Sequence, residues 1–112
     1  MTEIREPEHF FDLQKQFTRI PFTQSKAWFD YLNDGSSNFA FYVDDEKDTK
    51  IALWGRIQKV PLIRKRLLRI EGECYKEEAN EKIFKKFFSD LAGQSYAGIE
   101  VNSNNPYSVD YE

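Results

Sequence analysis

The stretch from Lys50 to Gly72, KIALWGRIQKVPLIRKRLLRIEG, decides the fold that the sequence predicts. It contains two runs of aliphatic and β-branched residues, Ile51 to Val60 and Leu67 to Ile70, which a short connection with Pro61 and a basic cluster separates. This pattern is typical of a long antiparallel β-hairpin. We expect the hairpin to lie in the middle of a sheet, with the rest of the chain covering or extending it.

The N-terminal segment predicts a helix, and an edge strand at Thr2 to Glu6 is left open. Pro7 is favoured at the first position of a helix because its missing N–H needs no partner there. The apolar residues from Phe10 to Phe17 share one helical face, which indicates a helix that packs on the sheet.

A second helix is predicted after Pro21, with Thr23 or Ser25 as its cap. Its apolar residues are expected to form one stripe, which comprises Ala27, Trp28, Tyr31 and Leu32. The sequence Asn-Asp-Gly at 33–35 is typical of a helix end. From Asn38 to Val43, apolar residues alternate as in a strand with one face in the core.

After the hairpin, residues Ala79 to Ala92 carry an apolar stripe opposite a charged face, and Gly93 stands where a helix ends. The alternation from Tyr96 to Val101 predicts a final strand. A strand that is reached through a helix is expected to run parallel to the strand before it. The sequence therefore predicts an α+β fold with the order (β)ααβββαβ, mostly antiparallel with one parallel strand.

Composition excludes several classes of protein. The chain has 112 residues and a net charge of −3, whereas a general nucleic-acid binder needs a net basic footprint. No apolar run is long enough to span a membrane and none follows Met1, so we expect a cytoplasmic protein. The single cysteine, Cys74, and the single histidine, His9, indicate neither a disulfide nor a metal site.

The C-terminal sequence predicts a helix that begins where the chain stops. Asn105 before Pro106 is typical of a helix start, a cap followed by a first-turn proline, yet the chain ends at Glu112. We therefore expect residues 1–112 to be a single domain that is an incomplete piece of a longer protein.

Three short motifs resemble the FemABX group, the peptidoglycan-bridge aminoacyltransferases built from two domains of the GNAT acyltransferase type. Phe22-Thr23-Gln24-Ser25 followed by Trp28 is similar to the opening F-x-Q-S-x-x-W of that group. The hairpin tip and the segment from Arg69 to Gly72 resemble the next motif of that group. Asn105 with Tyr111 resembles the asparagine and tyrosine at the start of the following GNAT helix. The element order is also that of the first two-thirds of the GNAT fold.

This resemblance implies part of an acyl- or aminoacyltransferase that acts on an amine acceptor. The acceptor would be an anionic small molecule such as a cell-wall precursor, and the donor in a full-length protein would be an aminoacyl-tRNA. The acceptor amine would attack the bound acyl donor directly, with the protein supplying position and a base. A non-catalytic module that binds an acidic partner, and an acetyl-CoA-dependent N-acetyltransferase, remain alternatives.

The junction after the hairpin departs from acetyl-CoA-binding GNAT proteins, which hold the pyrophosphate in a glycine-rich loop at a helix N-terminus. Here only Gly72 is available, with carboxylates around it: Glu71, Glu73, Glu77 and Glu78. Each would repel a diphosphate by about 1 to 2 kcal/mol at ~10 Å and an effective dielectric of about 20. The sequence therefore disfavours coenzyme A, and no cofactor is predicted.

The candidate site residues lie mostly in the hairpin, where arginine offers paired donors to phosphate and carboxylate groups. The substrate-binding candidates are Trp54, Arg56, Arg64, Arg66, Arg69 and Gly72. The alternative is that the basic residues keep an exposed hairpin soluble and that Trp54 belongs to the core. Glu100 is the candidate general base, with a solvated strand residue as the alternative, whereas Cys74 is a poor candidate for a nucleophile among the nearby carboxylates. The outer edge of the last strand also predicts weak self-association.

Overall fold

Six strands form one sheet in the computed structural model, which describes residues 1–60, 62 and 65–103. The strands are β1 (Thr2–Ile4), β2 (Asn38–Val43), β3 (Ile51–Val60), β4 (Lys65–Glu71), β5 (Cys74–Tyr75) and β6 (Gly98–Asn102). They lie in the order β1-β2-β3-β4-β6, and β5 pairs with β3. The hairpin strands β3 and β4 therefore occupy the middle of the sheet, as predicted. The hairpin connection at Pro61 and Arg64 and the proposed helix start at Asn105 lie outside the described residues.

Strand β6 runs parallel to β4, with Leu67 opposite Gly98 and Glu71 opposite Asn102. The other pairs among the described strands are antiparallel. Helix α3 (Glu81–Ala92) connects the two parallel strands, as a crossover must. These pairings confirm the predicted α+β class with one parallel strand, and they show that the edge strand left open at the N-terminus forms as β1. The (β)ααβββαβ order holds apart from the short strand β5, which the sequence did not predict.

Helices cover both faces of the sheet. On the first face, helices α1 (Pro7–Gln14) and α2 (Lys26–Leu32) pack over Phe41 and Trp54, and we call it the α1/α2 face. On the other, which we call the α3 face, α3 packs over Leu53 and Ile70. Successive residues of a strand point to opposite faces, so two separate cores form.

Helix α3 is held by its apolar stripe and its N-cap. The side-chain oxygen of Asn80 accepts a hydrogen bond of 2.9 Å from the N–H of Ile83. The stripe is buried against the sheet and comprises Phe84, Phe87, Phe88 and Leu91. Because Asn80 is the cap, the helix begins two residues later than the predicted start at Ala79. No helix within the described ranges has the length and apolar character needed to cross a lipid bilayer.

Helix α2 corrects the prediction for its apolar stripe. Phe29, outside the predicted stripe, is its buried residue, whereas Tyr31 is 76% exposed and Ala27 is exposed. Phe29 packs edge-to-face on Trp54, with ring centroids 5.5 Å apart. A helix of this length has aromatic residues on more than one side, so spacing alone did not identify the buried side. Ser25 provides the cap, accepting from the N–H of Trp28 at 3.1 Å.

A β-bulge lies where β4 passes into β5. Gly55 pairs with Ile70, but Ala52 pairs with Cys74, so the register shifts by one residue between the two pairs. Gly72 lies in the bulge with φ of 83°, a conformation that favours glycine. Cys74 belongs to β5, which ends well before α3 begins.

Gly55 marks a close approach of two strands. A Cβ atom there would lie 2.7 Å from the carbonyl oxygen of Arg69 and 2.8 Å from Cγ1 of Ile70. Real Cβ atoms do not come so near backbone, so a larger residue must displace β4. The close approach therefore explains why a glycine occupies this position.

Candidate functional site

The side chain of Gln24 fills the gap that the bulge opens between β3 and β4. Its Oε1 accepts from the N–H of Trp54 at 3.0 Å, and its Nε2 donates to the carbonyl of Trp54 at 3.0 Å. The same Nε2 donates to the carbonyl of Glu71 at 3.0 Å. Gln24 is fully buried, so its amide replaces a backbone partner that β4 cannot supply at the bulge.

The rest of the 3₁₀ turn (Phe22–Gln24) reinforces this contact. The hydroxyl of Thr23 also donates to the carbonyl of Glu71, at 2.8 Å. The carbonyl of Gln24 accepts from Nε1 of Trp54 at 2.9 Å and from Nε2 of Gln14 at 2.7 Å. The Phe-Thr-Gln-Ser motif on which the resemblance depends therefore has a structural role, because it locks the bulge and caps α2.

A cavity of about 240 Å³ opens on the α1/α2 face beside the bulge. Its lining comes from the 3₁₀ turn, α2 and the central strands and comprises Thr23, Gln24, Trp28, Leu32, Trp54, Arg56, Arg69 and Glu71. Trp54 is 3% exposed, so it is mainly a core residue that contributes an edge to the cavity wall. Arg56 and Arg69 lie directly opposite each other on β3 and β4.

Three aromatic rings, two exposed and one partly buried, continue the wall onto the outside of α2. The centroids of Phe22 and Trp28 are 5.4 Å apart, and Trp28 stacks on Tyr31 at 5.2 Å. Phe22 is 67% exposed and Tyr31 is 76% exposed. We call these three residues the aromatic ledge. Sequence reasoning missed Phe22 and Tyr31 as candidate site residues, because it assigned Tyr31 to the apolar stripe of α2 and used Phe22 only as part of the motif.

Charged side chains surround the cavity on the side of β6. Nε of Arg69 lies 3.0 Å from Oε2 of Glu100 and 3.9 Å from Oε1 of Glu71. Nδ2 of Asn102 donates to Oε2 of Glu71 at 3.1 Å. Arg56 donates to the hydroxyl of Ser37 at 3.1 Å. Arg56 and Arg69 are therefore neighbours across this face, and the carboxylates of Glu71 and Glu100 both lie beside Arg69.

The structure brings part of the predicted site together. Trp54, Arg56 and Arg69 line one cavity, and Glu100 lies next to Arg69. Arg66, however, lies on the α3 face, its guanidinium 5.3 Å from the ring centre of Tyr96. The predicted single basic face of the hairpin was therefore wrong, because residues an odd number apart on a strand point to opposite faces. The predicted Arg64 falls in the part of the chain that is not described.

Several backbone N–H groups from Gly72 onward have partners within the chain. The N–H of Gly72 donates to the carbonyl of Asn102 at 2.9 Å, and that of Lys76 donates to Lys50 at 2.9 Å. The cap on α3 takes the N–H of Ile83. These groups are the ones that a phosphate-binding loop would present, and here they already have partners.

The carboxylates at this junction do not form one cluster. Glu71 points to the α1/α2 face, whereas Glu73 is buried and accepts from the hydroxyl of Ser103 at 2.6 Å. Glu77 and Glu78 are exposed in the segment before α3. The predicted crowding of all these carboxylates around a pyrophosphate is therefore wrong in its geometry.

Cys74 is unsuited to nucleophilic chemistry. Burial raises the pKa of its thiol to about 12, and the nearby Glu73 carboxylate acts in the same direction. Nε2 of Gln14 lies 3.6 Å from the sulfur, and this hydrogen bond lowers the pKa by less than burial raises it. The thiol is therefore protonated and inaccessible at neutral pH.

No family model matches the sequence, and no curated protein matches it. Several solved structures resemble the fold, and two of them are acetyltransferases by description. A protein described as a probable acetyltransferase is 17% identical, with a TM-score of 0.47 over 100% of this chain and 82% of that one. A ribosomal-protein-alanine N-acetyltransferase from Brucella melitensis biovar Abortus 2308 is 14% identical, with a TM-score of 0.47 over 94% and 87% of the two chains. Likenesses at this level do not assign a family or an activity to this chain.

Proposed function

We propose that this chain is the acceptor-binding part of an acyltransferase of the GNAT and FemABX type. The observation that carries the proposal is the cavity beside the bulge, where Trp28, Arg56 and Arg69 surround one opening next to the parallel pair β4 and β6. The element order adds support, because it is the order that the sequence resemblance implied.

The cavity suits an acceptor that carries an anionic group. Arg56 and Arg69 offer guanidinium donors, which hold phosphate and carboxylate groups through paired hydrogen bonds. The aromatic ledge provides flat apolar surface next to them for a larger body of the same molecule. A cell-wall precursor with phosphates and a peptide combines these features, and it bears the amine that the reaction needs.

Glu100 is the proposed base. In the reaction, the acceptor nitrogen forms a bond to the acyl carbon while the ester bond to the donor breaks, and the leaving hydroxyl group takes up a proton. The amine must lose a proton in the process, and the carboxylate of Glu100 is the acceptor beside the cavity. Arg69, at 3.0 Å, holds this carboxylate in place.

Coenzyme A is not the expected donor. The N–H groups of Gly72, Lys76 and Ile83 are engaged within the chain, and Glu73 is buried just beyond the end of the β4–β6 pairing. Calorimetric titration with acetyl-CoA should show no binding. A micromolar dissociation constant, together with NMR amide signals that shift at Gly72 to Tyr75, would favour an acetyl-CoA-dependent N-acetyltransferase instead.

Calorimetry with an amine-bearing, phosphate-containing cell-wall precursor tests the proposal. We expect Arg69→Gln to weaken binding about tenfold, since one charge-assisted hydrogen bond is lost. Lys82→Gln makes the same change in charge at an exposed position of α3 and should leave the affinity unchanged. Equal losses in both variants would indicate nonspecific charge attraction. Binding of an acidic peptide but not of the precursor would favour the non-catalytic module.

We also infer weak self-association through β6. No described strand pairs with its outer edge, and Ile99 and Val101 are only partly buried. Sedimentation at increasing protein concentration should show a rising fraction of dimer. A sedimentation coefficient independent of concentration would contradict the inference.

A further inference from the structure

At two places in the hairpin, a cation of β3 lies directly opposite a cation of β4. Only one of these two pairs lies next to a carboxylate. Arg56 lies opposite Arg69 on the α1/α2 face, where Glu100 compensates the charge of Arg69. Lys59 lies opposite Arg66 on the α3 face. Like charges directly opposite each other destabilise a sheet. Among the described residues, no carboxylate forms an ion pair with Lys59 or Arg66.

The second pair borders a groove of about 700 Å³ on the α3 face. Helix α3 ends at Ala92, and the groove lies beyond this end. It borders the start of β2 and the end of β3. Ala40, Tyr42 and Ile57 lie along the groove, and Tyr96 closes one side. This volume is within the range of roughly 300–1,000 Å³ that small-molecule sites occupy.

The charge of the groove is positive although the protein as a whole is acidic. Among the described residues, its lining includes the cations Arg5, Lys59 and Arg66 and one carboxylate, Glu3. The net charge of the chain is −3, so this concentration of cations is local. An anion in the groove would remove the repulsion between Lys59 and Arg66.

Two tyrosines add a directed hydrogen-bond donor to the groove. The hydroxyls of Tyr42 and Tyr96 lie 2.7 Å apart and form a hydrogen bond. Two phenol groups share only one proton in such a bond, so the second proton is free to donate to another acceptor. Burial raises the pKa of Tyr42, and the hydrogen bond to Tyr96 raises it further, so this hydroxyl remains protonated. The guanidinium of Arg66 lies over the Tyr96 ring, which fixes both groups beside Lys59.

We propose that this groove is a second binding site, for a small organic anion whose phosphate or carboxylate lies between Lys59 and Arg66 and accepts a hydrogen bond from the tyrosine pair. Its apolar part would lie over Ala40 and Ile57. The site is separate from the cavity on the α1/α2 face, because the sheet lies between them. It does not depend on the transferase proposal.

Phenyl phosphate is a suitable probe because it joins a dianion to an apolar ring. Titration of the isotope-labelled 112-residue chain should shift the amide signals of Tyr42 and Tyr96 with a dissociation constant on the order of 1 mM. The indole signal of Trp54 reports on the cavity of the other face, so any binding of the probe there is followed separately. Benzoate should bind more weakly through the same signals, and benzyl alcohol, which has no charge, should not bind.

Variants identify the groups that bind the probe. Arg66→Gln and Lys59→Gln should each weaken binding about tenfold, and Tyr96→Phe about threefold. Lys82→Gln is the matched control on α3 and should have no effect, and Arg69→Gln should affect only the other site. The proposal fails if the signals do not shift, if benzyl alcohol shifts them equally, or if neither Arg66→Gln nor Lys59→Gln weakens binding. Should one of these two variants fail to fold, the other decides the matter.

Discussion

On the α3 face, the residues that α3 buries are all apolar, whereas on the α1/α2 face two glutamines are buried as deeply as the aromatic rings around them. Gln14 is 4% exposed and Gln24 is fully buried. The first core depends on volume and shape, which apolar residues of similar size can preserve. The second depends on hydrogen bonds to particular backbone groups of Trp54 and Glu71, for which no apolar residue can substitute. Substitutions on the two faces should therefore have different effects.

The largest loss of stability is expected on the α3 face from Phe84→Ala. Phe84 is fully buried and packs on Phe88 and Tyr75, so truncation leaves a cavity in the core. The free energy of unfolding should fall by about 4 kcal/mol. Urea denaturation measures the loss, with Phe22→Ala as the control because Phe22 is 67% exposed. A similar loss in both variants would contradict the assigned core.

The next largest effect is expected on the α1/α2 face from Gln24→Leu. Leucine nearly preserves the volume but leaves the N–H and carbonyl of Trp54 buried without partners. We expect a loss of about 3 kcal/mol, since each buried unpaired group costs roughly 1–3 kcal/mol. Gln58→Leu makes the same chemical change at an exposed position of β3 and should cost little. If Gln24→Leu were no worse than this control, the buried amide would not be what holds the bulge.

The elements that the sequence predicted are those with a sustained period. The stripe of α3 and the alternation of β2, β3 and β6 are local signals, because each residue's face follows from its position in the chain. The parallel pairing of β6 follows from the crossover helix. The separation of Arg66 from Arg69 was also available from strand alternation, although the sequence reading treated them as one site.

The bulge and the cavity depend on partners that are distant in the sequence. A one-residue register shift at Gly72 has no periodic signal, and Gln24 reaches Glu71 only after the chain folds. The short strand β5 was missed because its two residues show no alternation. Similarly, α2 has apolar residues on several sides, and only its contact with Trp54 selects Phe29 as the buried one.

A smaller effect, again on the α3 face, is expected from Gly55→Ala. The added Cβ would lie 2.7 Å from the carbonyl of Arg69, so β4 must move and the hairpin loses register contacts. We expect a loss of about 2 kcal/mol. Gly93→Ala is a matched control, because its nearest contact would be 3.4 Å. A stabilised Gly55→Ala variant would show that β4 can move without cost, and the close approach would then not explain this glycine.

The smallest effect concerns pH and the α1/α2 face, where Cys74 is buried beneath Gln14. Its thiol has a pKa of about 12 in the folded chain, against an ordinary value of 9.0 that applies when the chain unfolds. Below this ordinary value the thiol is protonated in both the folded and the unfolded chain, so Cys74 does not make the free energy of unfolding depend on pH. As pH rises above 9.0, the thiol of the unfolded chain loses its proton while the thiol of the folded chain keeps it. This ionisation stabilises the unfolded state, so the free energy of unfolding falls. The loss that Cys74 contributes should reach about 1 kcal/mol between about pH 9 and about pH 10. Cys74→Ala should reduce the slope of unfolding free energy against pH in this window, whatever its effect at neutral pH. An unchanged slope would mean that the thiol ionises as easily in the folded chain as in water, which its burial in this core forbids.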